Sequence, residues 1–233
     1  MSYRKVSGPM IFLRNVTRTF NSSSEPVTAL DGVSLSIQRG EFVAITGPSG
    51  CGKSTLLHLV GALDTPNSGE VTVSGLDLHK ATEAELTKYR RQKLGIIFQF
   101  FNLLPTMNVL ENVALPLLLA GIPFRDAQVQ ARMMLELVGL KHREKHFAHQ
   151  LSGGEMQRTA VARALVHKPD VLLADEPTGN LDSANASGVF DVLAKISSST
   201  GTTMIIVTHS DDLAAIANRR IRMRDGKIVS SDT

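Results

Sequence analysis

The sequence predicts an α/β fold in which helices cover a largely parallel sheet, with an antiparallel β subdomain before it and an α-helical subdomain inserted within it. Three observations carry that prediction. Short apolar segments, FVAIT (42–46), GIIF (95–98), VLLAD (171–175) and TMIIVT (203–208), alternate with helical patterns, as strands buried on both faces do. The opening stretches IFLRNVTRTF and VSLSI alternate in polarity, as half-buried antiparallel strands do. Between positions 99 and 151 the strand patterns vanish, and Ala127, Ala131, Met134, Leu135 and Val138 follow helical spacing.

Taken in order, Gly40 punctuates the chain before the strand at 42–46, and a helical pattern starts at Lys53. Strands near EVTVSG and GIIF precede the helical insertion. After it come VLLAD, a helix from about 184, TMIIVT, and RRIRMR (219–224), where Ile221 and Met223 alternate with Arg220, Arg222 and Arg224. That alternation reads as a half-buried strand, closed by the turn signal Asp225-Gly226. We therefore expect one domain over 1–233, divided into an antiparallel β part with core strands (about 1–46), a core (47–98 and 160–233) and a helical part (about 99–159). With 42% hydrophobic residues, 233 positions can fill a sizeable core. The 25 basic and 22 acidic residues make a mixed surface, which speaks against a nucleic-acid partner despite the local cluster KYRRQK (88–93). A single cysteine excludes an internal disulfide and a cysteine-rich metal site. The longest apolar stretch, VALPLLLAGIPF from 113, is broken by Pro116 and falls short of the ~20 residues of a membrane-spanning helix. No secretory leader is recognisable at the start, so cytoplasmic residence is the expectation.

The chemistry gathers around GPSGCGKST (47–55), which follows a strand and opens a helix. Gly47, Gly50 and Gly52 let backbone amides wrap phosphates, Lys53 brings charge to the outer phosphates, and Ser54 offers a hydroxyl to Mg²⁺. Ser49, Cys51 and Thr55 complete the stretch expected at the nucleotide. A strand ending in Asp175 and Glu176 sends successive carboxylates to opposite sides, so Asp175 can serve Mg²⁺ while Glu176 orients or deprotonates water. Gln99 closes GIIF, with a role at Mg²⁺ or water, and His209 closes TMIIVT near the terminal phosphate. Both fall on the carboxyl-end rim where open α/β sheets bind ligands. LSGGEMQR (151–158) adds a helix start in which Ser152 and Glu155 form a capping box. The cap does not explain Gly153 and Gly154, which cost about 1 kcal/mol relative to alanine inside a helix; bare backbone at a helix N-terminus suits an anion.

With the P-loop, Gln99, LSGGE, Asp175-Glu176 and His209 in that order, the whole chain resembles the nucleotide-binding subunit of an ABC transporter. The resemblance implies a P-loop NTPase core of RecA-like type, a Mg²⁺-dependent ATPase using Glu176, and a head-to-tail homodimer in which Ser152, Gly153 and Gly154 reach ATP held by the other chain. It also implies that Asp182, in GNLD, links the two sites, and that Phe20 stacks on adenine, although family members often carry tyrosine there. The segments GALDTPNSGEV, FQFFNLLPTMNVLENV and LADEPTGNLD are similar to the subgroup serving bacterial lipoprotein release, macrolide export and cell-division control. That implies a peripheral protein on the cytoplasmic face of the inner membrane, driving an integral membrane subunit with a large periplasmic domain. The alternatives are a mechanotransmitting regulator without transport, a soluble ABC ATPase of DNA repair or translation, and a solute importer's ATPase. The cluster Phe98, Phe100, Phe101, Leu103, Leu104 and Met107 is either a groove for a helix of the membrane subunit or core between subdomains. Alkylation of Cys51 is expected to inhibit turnover, with Mg-ATP protecting.

Overall fold

The computed structural model describes residues 8–21 and 26–232. The first residues, on which the reading of no leader rests, lie outside that range. Strand β1 (Ile11–Asn21) pairs antiparallel with β2 (Pro26–Ile37), and the next strand, β3 (Phe42–Thr46), crosses into a second, larger sheet. All five residues of β3 are buried, so it needs cover on both faces. It lies between β8 (Thr203–Val207) and β9 (Arg219–Arg224), parallel to both. The order continues through β7 (Val171–Asp175) to β6 (Leu94–Ile97), with β10 (Lys227–Asp232) antiparallel to β9 at the other edge.

The pleat sorts these strands between two cores. Val43, Ile45, Ile205 and Val207 pack with α1 (Lys53–Val60) and the small sheet. Phe42, Met204 and Ile206 pack on the opposite face with α5 (Gly153–Leu165) and α6 (Ser183–Thr200). A third cluster joins α3 (Val109–Leu119), α4 (Phe124–Leu137) and α5, and Ala127, Ala131, Leu135 and Val138 are buried in it, as their spacing predicts. In β9, Ile221 and Met223 are buried while Arg220, Arg222 and Arg224 are exposed, and Asp225 and Gly226 both take positive φ in the turn that follows.

Two local differences separate this fold from the sequence reading, and two helices go beyond it. EVTVSG does not enter the parallel sheet: β4 (Ser68–Val73) pairs antiparallel with β1 and carries the short β5 (Leu76–Asp77). The expected core stretch 47–98 is thus shared between the two sheets, because half-buried strands pair wherever a free edge lies, which composition alone does not fix. The basic stretch at 88–93 belongs mostly to a helix, α2 (Glu83–Gln92), started by a Thr82–Glu85 capping box. Pro116 does not end its helix but sits within α3. A last short helix, α7 (Asp211–Ala215), follows β8. Among the described residues no helix is long and apolar enough to cross a membrane.

Candidate active site

Parallel strands place four loops on one rim, those after β3, β8, β7 and β6. The first is the glycine loop. A Cβ on Gly47 would stand 2.2 Å from the Met223 carbonyl oxygen, and one on Gly52 would stand 2.1 Å from that of Ala29, so only glycine lets the loop thread between β9 and β2. Gly52 also caps α1 at φ 100° with no side-chain acceptor, which leaves the first amides of the helix for an anion. Lys53 is buried and donates to the carbonyls of Gly47 (3.0 Å) and Pro48 (2.9 Å), which holds its ammonium at the loop. Ser49 is exposed at the loop tip, and Ser54 and Thr55 are half-buried on the first turn of α1. The Cys51 side chain is buried in the core beneath the loop, with Sγ 4.0 Å from Lys53 Nζ.

Ser54 Oγ donates to Asp175 Oδ1 at 3.1 Å, across from α1 to the end of β7. A hydroxyl and a carboxylate side by side form a hard oxygen pair of the kind Mg²⁺ takes, so the residues present fit that ion. Glu176 does not extend the strand, as the alternation reading assumed. It takes φ 45°, and its amide donates to the Val207 carbonyl. The turn, not the pleat, separates the two carboxylates: Asp175 meets Ser54, while Glu176 Oε1 lies 3.0 Å from His209 Nε2. A non-glycine residue in the left-handed region is a local strain of the sort that collects at functional sites. Gln99 and His209 stand two residues beyond the ends of β6 and β8, not at their last positions. Gln99 Nε2 and Glu176 Oε2 both border Gly179, and Asn180 Nδ2 donates to the Gln99 carbonyl, so Gln99 stands on the Glu176 side of the site.

At the start of α5 the capping box is complete: Ser152 Oγ accepts from the Glu155 amide, and the Glu155 carboxylate accepts from the Ser152 amide at 2.9 Å. Arg143 Nε holds the other Glu155 oxygen at 2.8 Å. The Ser152 amide and then Arg143 keep the Glu155 carboxyl below the usual range. Gly154, unlike Gly153, has an intrachain reason that spacing did not reveal. A Cβ on Gly154 would fall 2.2 Å from Asn185 Oδ1, and one on Gly153 would fall 3.3 Å from Leu181. Asp182 caps α6 by accepting from the Asn185 amide at 2.8 Å.

Phe20 is exposed on β1, with the Arg18 guanidinium 4.6 Å over its ring. It pairs with Val27, two positions along β2 from Ala29, whose carbonyl touches the glycine loop. Two supports were not foreseen. Buried Asn112 bonds Leu104, Met107 and Asn108 through one side chain, and Arg163 donates to the Phe101 carbonyl at 2.9 Å. Together they fix the loop that follows Gln99. Within that loop Phe100 and Leu104 are exposed, whereas Leu103 packs on the helical core. Phe98 lines a groove of about 640 Å³ with Leu115, Pro116, Leu119 and Arg163.

A family profile described as ABC transporter matches residues 30–179. The lipoprotein-releasing system ATP-binding protein LolD of Legionella pneumophila is 47% identical over 92% of this chain and 95% of its own. An uncharacterized ABC transporter ATP-binding protein of Mycobacterium tuberculosis, Rv0986, is 45% identical over 95% of this chain and 89% of its own. The dimeric structure of MJ0796, a bacterial ABC transporter cassette, superposes with a TM-score of 0.90 at 41% identity, covering 96% of this chain and 98% of that one. The same cassette in a post-hydrolysis state with ADP and Pi gives 0.90 at 40% identity over the same shares.

Proposed function

This chain belongs to the ABC transporter family and is an ABC-type ATPase, and we propose that it drives an integral membrane subunit with a large periplasmic domain, in a system of the lipoprotein-release or macrolide-export type. The observation that carries the reading is the junction on one rim of the Ser54–Asp175 pair, the Glu176–His209 pair and the glycine loop with Lys53. In the proposed cycle the free amides of α1 and Lys53 bind the β- and γ-phosphates of ATP. Ser54 and Asp175, with Gln99 nearby, would hold Mg²⁺, which supplies charge neutralisation across the phosphates when bound. Glu176 receives the proton of the attacking water, and His209 holds Glu176 in position for it. Phe20 offers its ring to the adenine base.

A head-to-tail homodimer completes each site. Ser152, Gly153 and Gly154 of one copy present the N-terminus of α5 to the γ-phosphate held by the other, with Asp182 near the junction. The dimeric state of a cassette 41% identical to this chain supports that arrangement. The groove beside Phe98, walled by apolar side chains of α3, suits a helix of the membrane subunit docking on the cytoplasmic face of the inner membrane. The test is a pull-down from detergent-solubilised native membranes with the Glu176→Gln protein and ATP. Recovery of a membrane protein with few spans and a large periplasmic domain supports the reading, and the fold of that domain distinguishes release, efflux and division. Recovery of only ribosomes, DNA or soluble proteins overturns it.

A further inference from the structure

A second cavity, of about 430 Å³, opens at the end of the large sheet opposite the nucleotide rim. It lies at the amino ends of β3, β7 and β8, a strand length of roughly 15 Å from the candidate active site. Its size falls in the ~300–1,000 Å³ range of small-molecule sites. Met10, Met134, Leu137, Leu165 and Ile196 give it apolar walls. The charge at its mouth is one-sided. Arg39 and Lys168 line it, and neither has an acidic partner among the described residues, whereas the one lining carboxylate, Asp170, is already held by Lys93 at 2.9 Å and by Ser74 at 3.3 Å. Lys168 adopts φ 53°, a region glycine or asparagine enters at lower cost.

We propose that this cavity binds a free single-chain amphiphile with an anionic head, its apolar body among α4, α5 and α6 and its head between Arg39 and Lys168. An apolar chamber with two cations at its mouth that have no acidic partner among the described residues is complementary to that chemistry and not to a cationic or neutral amphiphile. Met134 packs against both the core under α6 and the helical core, so an occupant here touches the contact between the helical insertion and the sheet. The ligand would thereby bias the setting of α5, which carries Ser152–Gly154 at its far end. Nothing in this binding depends on the nucleotide reading.

The test uses the full chain with 8-anilinonaphthalene-1-sulfonate as fluorescent probe and monomeric decanoate as competitor. We expect saturable probe binding that decanoate displaces, with decanol at least tenfold weaker and decylamine without effect. The Arg39→Glu/Lys168→Glu protein should bind decanoate at least tenfold more weakly with an unchanged circular dichroism spectrum. Leu137→Glu should also weaken binding, while Leu119→Glu, in the other groove, should not. Equal displacement by the three head groups, or wild-type affinity in the double charge reversal, overturns the proposal. Retention on phosphatidylglycerol vesicles without binding of monomeric decanoate overturns it too, since the occupant would then be a bilayer surface.

Discussion

Glu176 Oε1 lies 3.0 Å from His209 Nε2, joining the residue after β7 to the loop after β8. The pairing gives Glu176 one fixed direction on the rim. Replacing Glu176 by Gln keeps the shape and removes the proton acceptor, so steady-state phosphate release should fall by ~10²–10⁴-fold, the range of a lost general base. ATP binding and ATP-dependent dimerisation should persist. A Glu176→Gln enzyme within threefold of wild-type turnover would show that the base lies elsewhere.

The contact of Ser54 with Asp175 makes a second, separable claim. Asp175→Asn should raise the Mg²⁺ concentration needed for half-maximal turnover by ~10–100-fold, the usual cost of disturbing a ligand set. Nucleotide binding measured in EDTA should change little. If the Mg²⁺ requirement is unaltered, Asp175 serves only as a partner for Ser54.

Much of this site was legible because its parts are local. A glycine loop between strand and helix, and polar residues just past apolar strands, announce themselves by spacing. The rest depends on long-range packing. Gly47 is required by the carbonyl of Met223, and Gly154 by Asn185, neighbours that no window around either glycine contains. The turn at Glu176 escaped for a related reason, since its φ is fixed by bonding to β8 rather than by its own side chain. The placement of β4 in the small sheet, like the cavity at the sheet's far end, appears only once strand order is known.

Gly153 and Gly154 should differ sharply on substitution. Asn185 is tied to Asp182 and cannot turn aside freely, so Gly154→Ala should cost about 1–3 kcal/mol in urea unfolding, as overpacking does. Gly153→Ala meets only a leucine methyl and should be close to neutral. In the Asn185→Gly background the cost of Gly154→Ala should fall well below its value in the wild type, because the two positions share one contact. An unchanged cost would mean that the steric neighbour is misidentified.

Cys51 is 4% exposed, so an alkylating reagent must wait for the loop to open. Native labelling by iodoacetamide should be roughly a hundredfold slower than labelling in urea, as for a site reached by local opening, and slower again with Mg-ATP. The labelled protein should lose turnover, since Sγ already presses on the space beside Gly47 and has no room for an adduct. Labelling at the rate of the unfolded chain, or full activity after stoichiometric modification, would contradict this placement.

His167 supplies a pH dependence of stability whose sign follows from its burial. Its Nε2 bonds the Leu94 carbonyl at 2.9 Å, its Nδ1 is buried with no partner among the described residues, and desolvation pushes its pKa below the ordinary value of 6.5. Near and below that value the unfolded chain therefore binds the proton more readily than the folded one. The stabilisation is complete above pH 6.5 and is lost as pH falls toward the lower folded value. Urea midpoints measured from about pH 7.5 down to about pH 5 should decline in the wild type and decline less in His167→Gln, which keeps a donor for Leu94 but cannot be protonated. His167 also lines the Phe98 groove, so parallel curves for the two proteins would show that it is charged at no cost in the folded state and that this groove wall is wetter than its packing implies.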